Sequence, residues 1–238
     1  MNALSLFSGI GGLDLAAEWA GFETVAFCER DPFCQKVLAK HWPGVKIYDD
    51  VRTLDTNELP RIELLHGGIP CQPFSQLGAK RGKADDRHLW PEMFKVIREC
   101  RPNWVVGENV ANFANMALEE VYFDLEGIGY EVRAFIIPAC SVNAPHVRKR
   151  IWICANSNSG GQQPKLPIRE SDSGRMEAKV KRVGEPWLCD PWALEPGVCR
   201  VVDGVPNRVD RLRCLGNAVV PQQAYPIFAA IAETYNAK

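Results

Sequence analysis

The sequence predicts an α/β fold: a mostly parallel, seven-stranded sheet with helices on both faces, plus a small loop-rich segment. Three observations carry that prediction. Short apolar runs alternate with stretches of helical spacing between residues 3 and 154. The first apolar run enters a glycine-rich turn that opens a helix, the first unit of a nucleotide-binding fold. Glu29, Asp50, Cys71 and Glu108 stand just past predicted strand ends, where open α/β sheets bind their ligands.

The elements follow in order. Residues 3–7 form the first strand and run into Ser8-Gly9-Ile10-Gly11-Gly12. Leu13, Ala16, Ala17 and Ala20 then recur at helical spacing until Gly21 stops the helix. Such glycines admit a close ligand, and the helix N-terminus offers free amides. The run reads Gly-x-Gly-Gly, not Gly-x-Gly-x-x-Gly, which favours a nucleoside-bearing cofactor without pyrophosphate. Residues 24–29 form the second strand. Its last residue, Glu29, suits ribose hydroxyls, and a solvated strand-end acid is the plainer alternative. Asp31-Pro32 caps a helix carrying Phe33, Val37 and Leu38.

Residues 46–48 make a short third strand, followed by Asp49-Asp50. Residues 62–66 make the fourth, leading into Gly67-Gly68-Ile69-Pro70-Cys71. Residues 72–89 read as a long polar and basic loop, and Met93, Val96, Ile97 and Cys100 as a helix. Residues 104–106 are the fifth strand, ending in Gly107-Glu108-Asn109. A helix over 115–127 and strands over 132–137 and 151–154 follow. Residues 156–207 are rich in Pro and Gly and too small to support a core of their own. Val220, Ala224, Ile227, Phe228, Ile231 and Tyr235 then mark a closing amphipathic helix. The organisation is therefore a main domain over 1–155, a small segment over 156–207, and a returning segment over 208–238.

Composition narrows the class. The 238 residues suit one large domain, or one domain with a small appendage. No apolar run approaches the roughly 20 residues of a membrane span, and no charged-then-apolar leader opens the chain. The 9 cysteines are odd in number and form no Cys-x-x-Cys pair. That argues against a disulfide framework or a zinc site, and for a reducing cytoplasm. The net charge of -1 is uneven, with -6 over residues 1–147 and +5 over 148–213. A basic block is a weak footprint of a polyanion, and a solvated basic face explains it equally well.

Cys71 is the most telling residue. Most lone cysteines are small buried hydrophobes. Cys71 instead lies in Pro70-Cys71-Gln72-Pro73 after two glycines, a rigid turn suited to presenting one thiol. Glu108, ending the next strand, should lie near it. Desolvation there would favour the protonated carboxyl, which could polarise a ring nitrogen while sulfur attacks the ring. Arg148 and Arg150 bracket the start of a strand and suit an anion or a carbonyl, although spacing alone does not separate that from a solvated basic face.

These motifs together resemble the cytosine-5 DNA methyltransferases. The chain matches them in family order over about residues 3–230. Leu6-Phe7-Ser8-Gly9-Ile10-Gly11-Gly12 resembles the family's first motif, which binds S-adenosylmethionine. Gly68-Ile69-Pro70-Cys71-Gln72-Pro73-Phe74-Ser75 resembles its nucleophile loop, and Glu108-Asn109-Val110 its Glu-Asn-Val motif. Arg148-Lys149-Arg150 resembles its Arg-x-Arg motif. Gly216-Asn217-Ala218-Val219-Val220-Pro221 resembles the closing motif, whose Asn returns to the cofactor. Ser5 stands where the family usually has Asp, and His146 where it usually has Gln.

The resemblance implies a Rossmann-like methyltransferase fold with residues 156–207 as a short target-recognition segment. It implies S-adenosylmethionine held by Phe7, Gly9, Ile10, Gly11, Gly12, Glu29, Arg30, Asp50, Val51, Pro70, Leu89, Asn217 and Val219. It assigns catalysis on a flipped cytosine to Cys71, Glu108, Asn109, Arg148 and Arg150. The implied partner is double-stranded DNA, with a monomeric enzyme and a cognate restriction enzyme as further expectations. Loop 72–89, with Lys80, Arg81, Lys83 and Arg87, would be a lid, against the plainer reading of a basic surface loop. Trp187 and Trp192 more readily pack the small segment onto the body than contact DNA. A branch of the family methylates transfer RNA and carries Cys-Phe-Thr. No cysteine here is followed by Phe-Thr, so DNA is preferred. A catalytically silent DNA-binding regulator would be free to lose Cys71 or Glu108, and both are present. A bare metabolic enzyme with a Cys nucleophile would not need the basic segment or the Gly-Asn motif.

Overall fold

A computed structural model describes residues 1–69, 89–115, 117–157 and 208–236. Pro70, Cys71, the loop that follows them and the 156–207 segment beyond Ser157 lie outside the described residues, as do Trp187 and Trp192. The described strands are β1 (Asn2–Leu6), β2 (Glu23–Cys28), β3 (Lys46–Tyr48), β4 (Leu64–Gly68), β5 (Trp104–Val110), β6 (Tyr130–Ile137) and β7 (Arg150–Ser157). They form one sheet in the order β3-β2-β1-β4-β5-β7-β6. The first five are mutually parallel. Only β7 runs against its neighbours β5 and β6. The predicted mostly parallel seven-stranded sheet is therefore the observed one.

The helices are α1 (Gly12–Trp19), α2 (Pro32–His41), α3 (Trp90–Cys100), α4 (Leu118–Gly127), α5 (Arg208–Asn217) and α6 (Pro221–Asn236). They cover both faces because side chains alternate along each strand. Leu65, Val105, Ile151 and Ile153 face a core shared with Met93, Val96 and Ile97 of α3 and with Val121 and Leu125 of α4. Leu64, Val106 and Trp152 face the opposite core, with Ala16 and Ala17 of α1 and with Ile227, Phe228 and Ile231 of α6. Asp31 caps α2 as expected, its carboxylate accepting from Phe33 N (2.8 Å) and Cys34 N (3.3 Å).

Several boundaries differ from the expected ones. β4 begins at Leu64, not Ile62, and takes in Gly67 and Gly68 beyond the expected end at His66. A Cβ at Gly67 would lie 2.3 Å from the Leu6 carbonyl oxygen, so the central strand needs glycine there to pack beside β1. Gly67→Ala must push two core strands apart and is expected to cost about 3 kcal/mol or more. Urea unfolding measures it, and a loss below about 1 kcal/mol would contradict this packing. β5 extends to Val110 because β7 pairs with it as far as Val110↔Arg150. Glu108 and Asn109 are consequently strand residues, not residues beyond a strand end.

Candidate functional site

A cavity of about 410 Å³ opens at the carboxyl ends of β1, β2, β4 and β5. Ligands of open α/β sheets collect there because backbone amides and loop side chains converge at those ends. Phe7, Gly9, Ile10 and Gly12 line it from the first turn, and Glu29 and Arg30 from the end of β2. Asp50 and Val51 line it after β3, Leu89 precedes α3, and Asn217 and Val219 reach it from the returning segment. Glu108 of β5 and Gly68 of β4 complete the wall. Gly11 is placed differently. It caps α1 with φ 86, and its missing Cβ leaves room for the Trp42 ring, which would otherwise stand 2.5 Å away. Its role is to seat the turn against α2.

The turn is held in place by Glu29. One carboxylate oxygen accepts from Gly9 N (2.7 Å) and the other from Asp31 N (2.7 Å). The strand-end acid thus fixes the glycine turn as well as facing the cavity, and each oxygen keeps a lone pair for a ligand hydroxyl. Among the described residues, nothing lies within 4 Å of the place a Cβ at Gly9 would occupy, so the backbone there is open to a ligand. Gly12 makes the opposite use of its missing side chain: a Cβ would stand 2.9 Å from the Val219 carbonyl oxygen. The returning segment therefore closes directly onto the first turn.

Beneath the turn lies a polar cluster that the sequence pattern does not reveal. Ser5 Oγ donates to Asp14 Oδ2 (3.1 Å) and Thr24 Oγ1 to Asp14 Oδ1 (3.2 Å). His66 Nε2 lies 3.6 Å from Asp14 Oδ1, with both side chains fully buried. Burial pushes the Asp14 carboxyl up to about 7 and the His66 imidazole down to about 3. Burial of both groups in a low dielectric so favours their neutral forms. A second carboxylate at position 5 would face Asp14 at this distance, so Ser5 fits the cluster where a charge would not.

Glu108 is 8 % exposed and Asn109 3 %. Glu108 Oε1 lies 2.8 Å from Arg150 Nε. Burial raises the Glu108 carboxyl above its usual range, against the lowering pull of Arg150 and Arg148. Asn109 Nδ2 donates to the Ile69 carbonyl (3.1 Å), and Ile69 N donates to the Glu108 carbonyl (2.9 Å). The chain therefore leaves β4 toward residue 70 pinned against Glu108 and Asn109. Arg150 thus stands beside Glu108. Arg148 instead spans to the returning segment, donating from Nη2 to the carbonyls of Gly216 (3.0 Å) and Ala218 (2.6 Å). Gln223 Nε2 donates to the Ile137 carbonyl (3.0 Å), which fastens α6 to the same corner.

Sequence reasoning missed other wall residues. Ser8, Cys28, Asp31, Cys34, Asp49, Arg52, Arg213 and Cys214 also line the cavity. Asp31 and Asp49 stand beside identified residues, so adjacency to Arg30 and Asp50 was an available signal. Arg213 and Cys214 belong to α5, a helix within the returning segment that has no clear apolar periodicity.

The family model for C-5 cytosine-specific DNA methylase matches residues 1–183. The chain is 36% identical over 165 residues to Type II methyltransferase M2.BsuMI of Bacillus subtilis, covering 66% of this chain and 42% of that protein. It is 32% identical over 173 residues to Type II methyltransferase M.HhaI of Haemophilus parahaemolyticus, covering 70% and 53%. The chain thus spans about half the length of these curated relatives. Among solved structures, the Dnmt2 methyltransferase of S. pombe superposes with TM-score 0.58 at 24% identity, over 68% of this chain and 53% of that one. A DNA modification methyltransferase encoded within an E. coli prophage gives 0.56 at 24%, over 67% and 47%. These two likenesses concern the fold.

Proposed function

Because the chain belongs to the C-5 cytosine-specific DNA methylase family, we propose that it transfers a methyl group from S-adenosylmethionine to carbon 5 of cytosine in double-stranded DNA. The observation that carries this is one shared cavity. The open glycine turn, Glu29 and Asp50 line the same space as Glu108, and Asn109 beside it holds Ile69, two residues before Cys71 in the sequence. S-adenosylmethionine supplies an electrophilic methyl group on a sulfonium. Its cationic centre suits the carboxylates of Glu29 and Asp49 in the wall, while Asp31 and Asp50 are already paired with Arg213 and Arg52. Gly9 would admit the cofactor, and Gly12 would let Asn217 and Val219 close over it. Arg30, Val51, Leu89 and Phe7 would contact its nucleoside and amino-acid parts, with Pro70 beside them.

In this reading the target cytosine leaves the stacked duplex and enters beside Glu108. The Cys71 thiolate attacks ring carbon 6. Glu108 gives a hydrogen bond or proton to ring nitrogen 3, which stabilises the electron-rich adduct. Arg150 orients Glu108 and contacts the base carbonyl. Arg148 holds the returning segment in register with that corner. Carbon 5 would take the methyl group as its bond to the sulfonium breaks, leaving a neutral thioether, and would then lose its proton to a base as Cys71 departs. The short 156–207 segment reads the DNA sequence. The Type II names of the relatives support a place beside a restriction enzyme.

The test is transfer of tritiated methyl from S-adenosylmethionine into duplex DNA, with purified transfer RNA as the parallel substrate. Label in DNA at carbon 5, located by bisulfite sequencing, is the expected result. Label in transfer RNA alone would move the substrate class. A gel shift on DNA with no transfer on any sequence would mark a silent DNA-binding protein. A second measurement addresses the cofactor wall. Gly12→Ala sets a Cβ against the Val219 carbonyl and is expected to raise the S-adenosylmethionine Kd about tenfold. Calorimetry reads it, and unchanged affinity would remove the returning segment from the cofactor site.

A further inference from the structure

Cys34 lies in the first turn of α2 and Cys214 in α5, and both thiols line the cavity wall. Their sulfurs are 3.2 Å apart although 180 residues separate them in the chain. We propose that Cys34 and Cys214 form an oxidisable dithiol site, which a two-electron oxidant of the peroxide class converts to a disulfide tying α5 to α2.

Three features support this. The sulfurs are only about 1 Å beyond a bonded S–S distance of about 2.05 Å, so a small helix shift closes the gap. The two helices already meet at this point, since Arg213 pairs with the Asp31 carboxylate next to both cysteines. The thiols are buried from bulk solvent yet face the cavity, which gives a peroxide its route in. Burial and the hydrogen bond with Cys214 raise the Cys34 thiol, so its thiolate is scarce and its oxidation is slow.

The chemistry balances with one peroxide. One thiolate attacks a peroxide oxygen, the O–O bond breaks, water leaves, and a sulfenic acid remains. The second sulfur attacks the sulfenic sulfur, the S–O bond breaks, and a second water leaves with the S–S bond formed. Two thiols lose two electrons, and the peroxide gains them. A metal is the less suited occupant. Asp31 Oδ1 accepts from two backbone amides and Oδ2 pairs with Arg213, so a cation there would gain no spare carboxylate and would face a guanidinium.

The consequence rests on the cofactor reading above. α5 ends at Asn217, and Asn217 and Val219 line the cavity. The disulfide would therefore fix the returning segment in its closed position, and an occupied cavity would screen the thiols.

The test is peptide mapping of the folded protein after hydrogen peroxide, without reduction. The expected product joins tryptic peptides 31–36 and 214–238. It disappears with a thiol reductant, and Cys34→Ser or Cys214→Ser prevents it. The linked protein should melt about 5 °C or more above the reduced one, since the link closes a very long loop. Saturating S-adenosylmethionine should slow linkage at least about fivefold. Cys34 and Cys214 still free thiols after prolonged peroxide exposure that has fully oxidised Cys140 would overturn the proposal. Stoichiometric zinc uptake by the reduced pair, with no linked peptide under peroxide, would overturn it as well. Linkage at one rate with and without S-adenosylmethionine, together with no calorimetric binding, would uphold the dithiol and remove the cofactor reading.

Discussion

Cys71→Ser is expected to abolish methyl transfer, a loss of at least about four orders of magnitude. The attack on carbon 6 needs a soft, ionisable nucleophile. A thiol reaches its anion near pH 8.5 and lower beside positive charge, whereas a serine hydroxyl stays neutral without a dedicated base. The residues that lead toward position 70 lie within the described fold. Ile69 is held at its amide by the Glu108 carbonyl and at its carbonyl by Asn109 Nδ2. The chain thus leaves β4 at the wall where Glu108 stands. Serine is nearly isosteric, so the S-adenosylmethionine Kd and the melting temperature should stay close to wild type. Undiminished transfer with that variant would sink the covalent route and leave the family fold with a different chemistry.

What the sequence made legible was whatever rests on local pattern. β3 and the Asp31-Pro32 cap fall where the residues place them, because strand length, cap chemistry and a fixed proline φ are local. The glycine turn, the strand-end acids and the Gly-Asn segment were also readable, and the cavity gathers them. The misplacements share a cause. The fourth strand was expected to end at His66, but close approach to β1 makes glycine the strand residue at position 67. Glu108 and Asn109 look like loop residues, but β7 pairs along β5 beyond them and buries them. α5 carries few apolar residues, so periodicity could not outline it. Asp14 with His66, Arg148 with the Gly216 and Ala218 carbonyls, and Cys34 with Cys214 are long-range pairs. Only the folded sheet brings them together.

Glu108→Gln is expected to lower kcat by about two to four orders of magnitude while the S-adenosylmethionine Kd changes less than about threefold. Two forces act on this carboxyl. Arg150, at 2.8 Å, favours the ionised form, and burial at 8 % exposure opposes it more strongly. The result is a carboxyl raised above its ordinary range, which holds a proton where an exposed glutamate has lost it. That proton is what ring nitrogen 3 needs as sulfur adds to carbon 6. Glutamine keeps the shape and a donor, but it cannot transfer a proton and it leaves Arg150 without its carboxylate. The rate should therefore fall far more than binding does. The pH profile separates this role from a merely structural one. If the protonated acid is the working form, wild-type kcat declines as pH rises through the elevated Glu108 pKa, and that limb vanishes in the glutamine variant. A variant with wild-type kcat, or with an unchanged alkaline limb, would remove Glu108 from the proton transfer and leave it only as the anchor of Arg150.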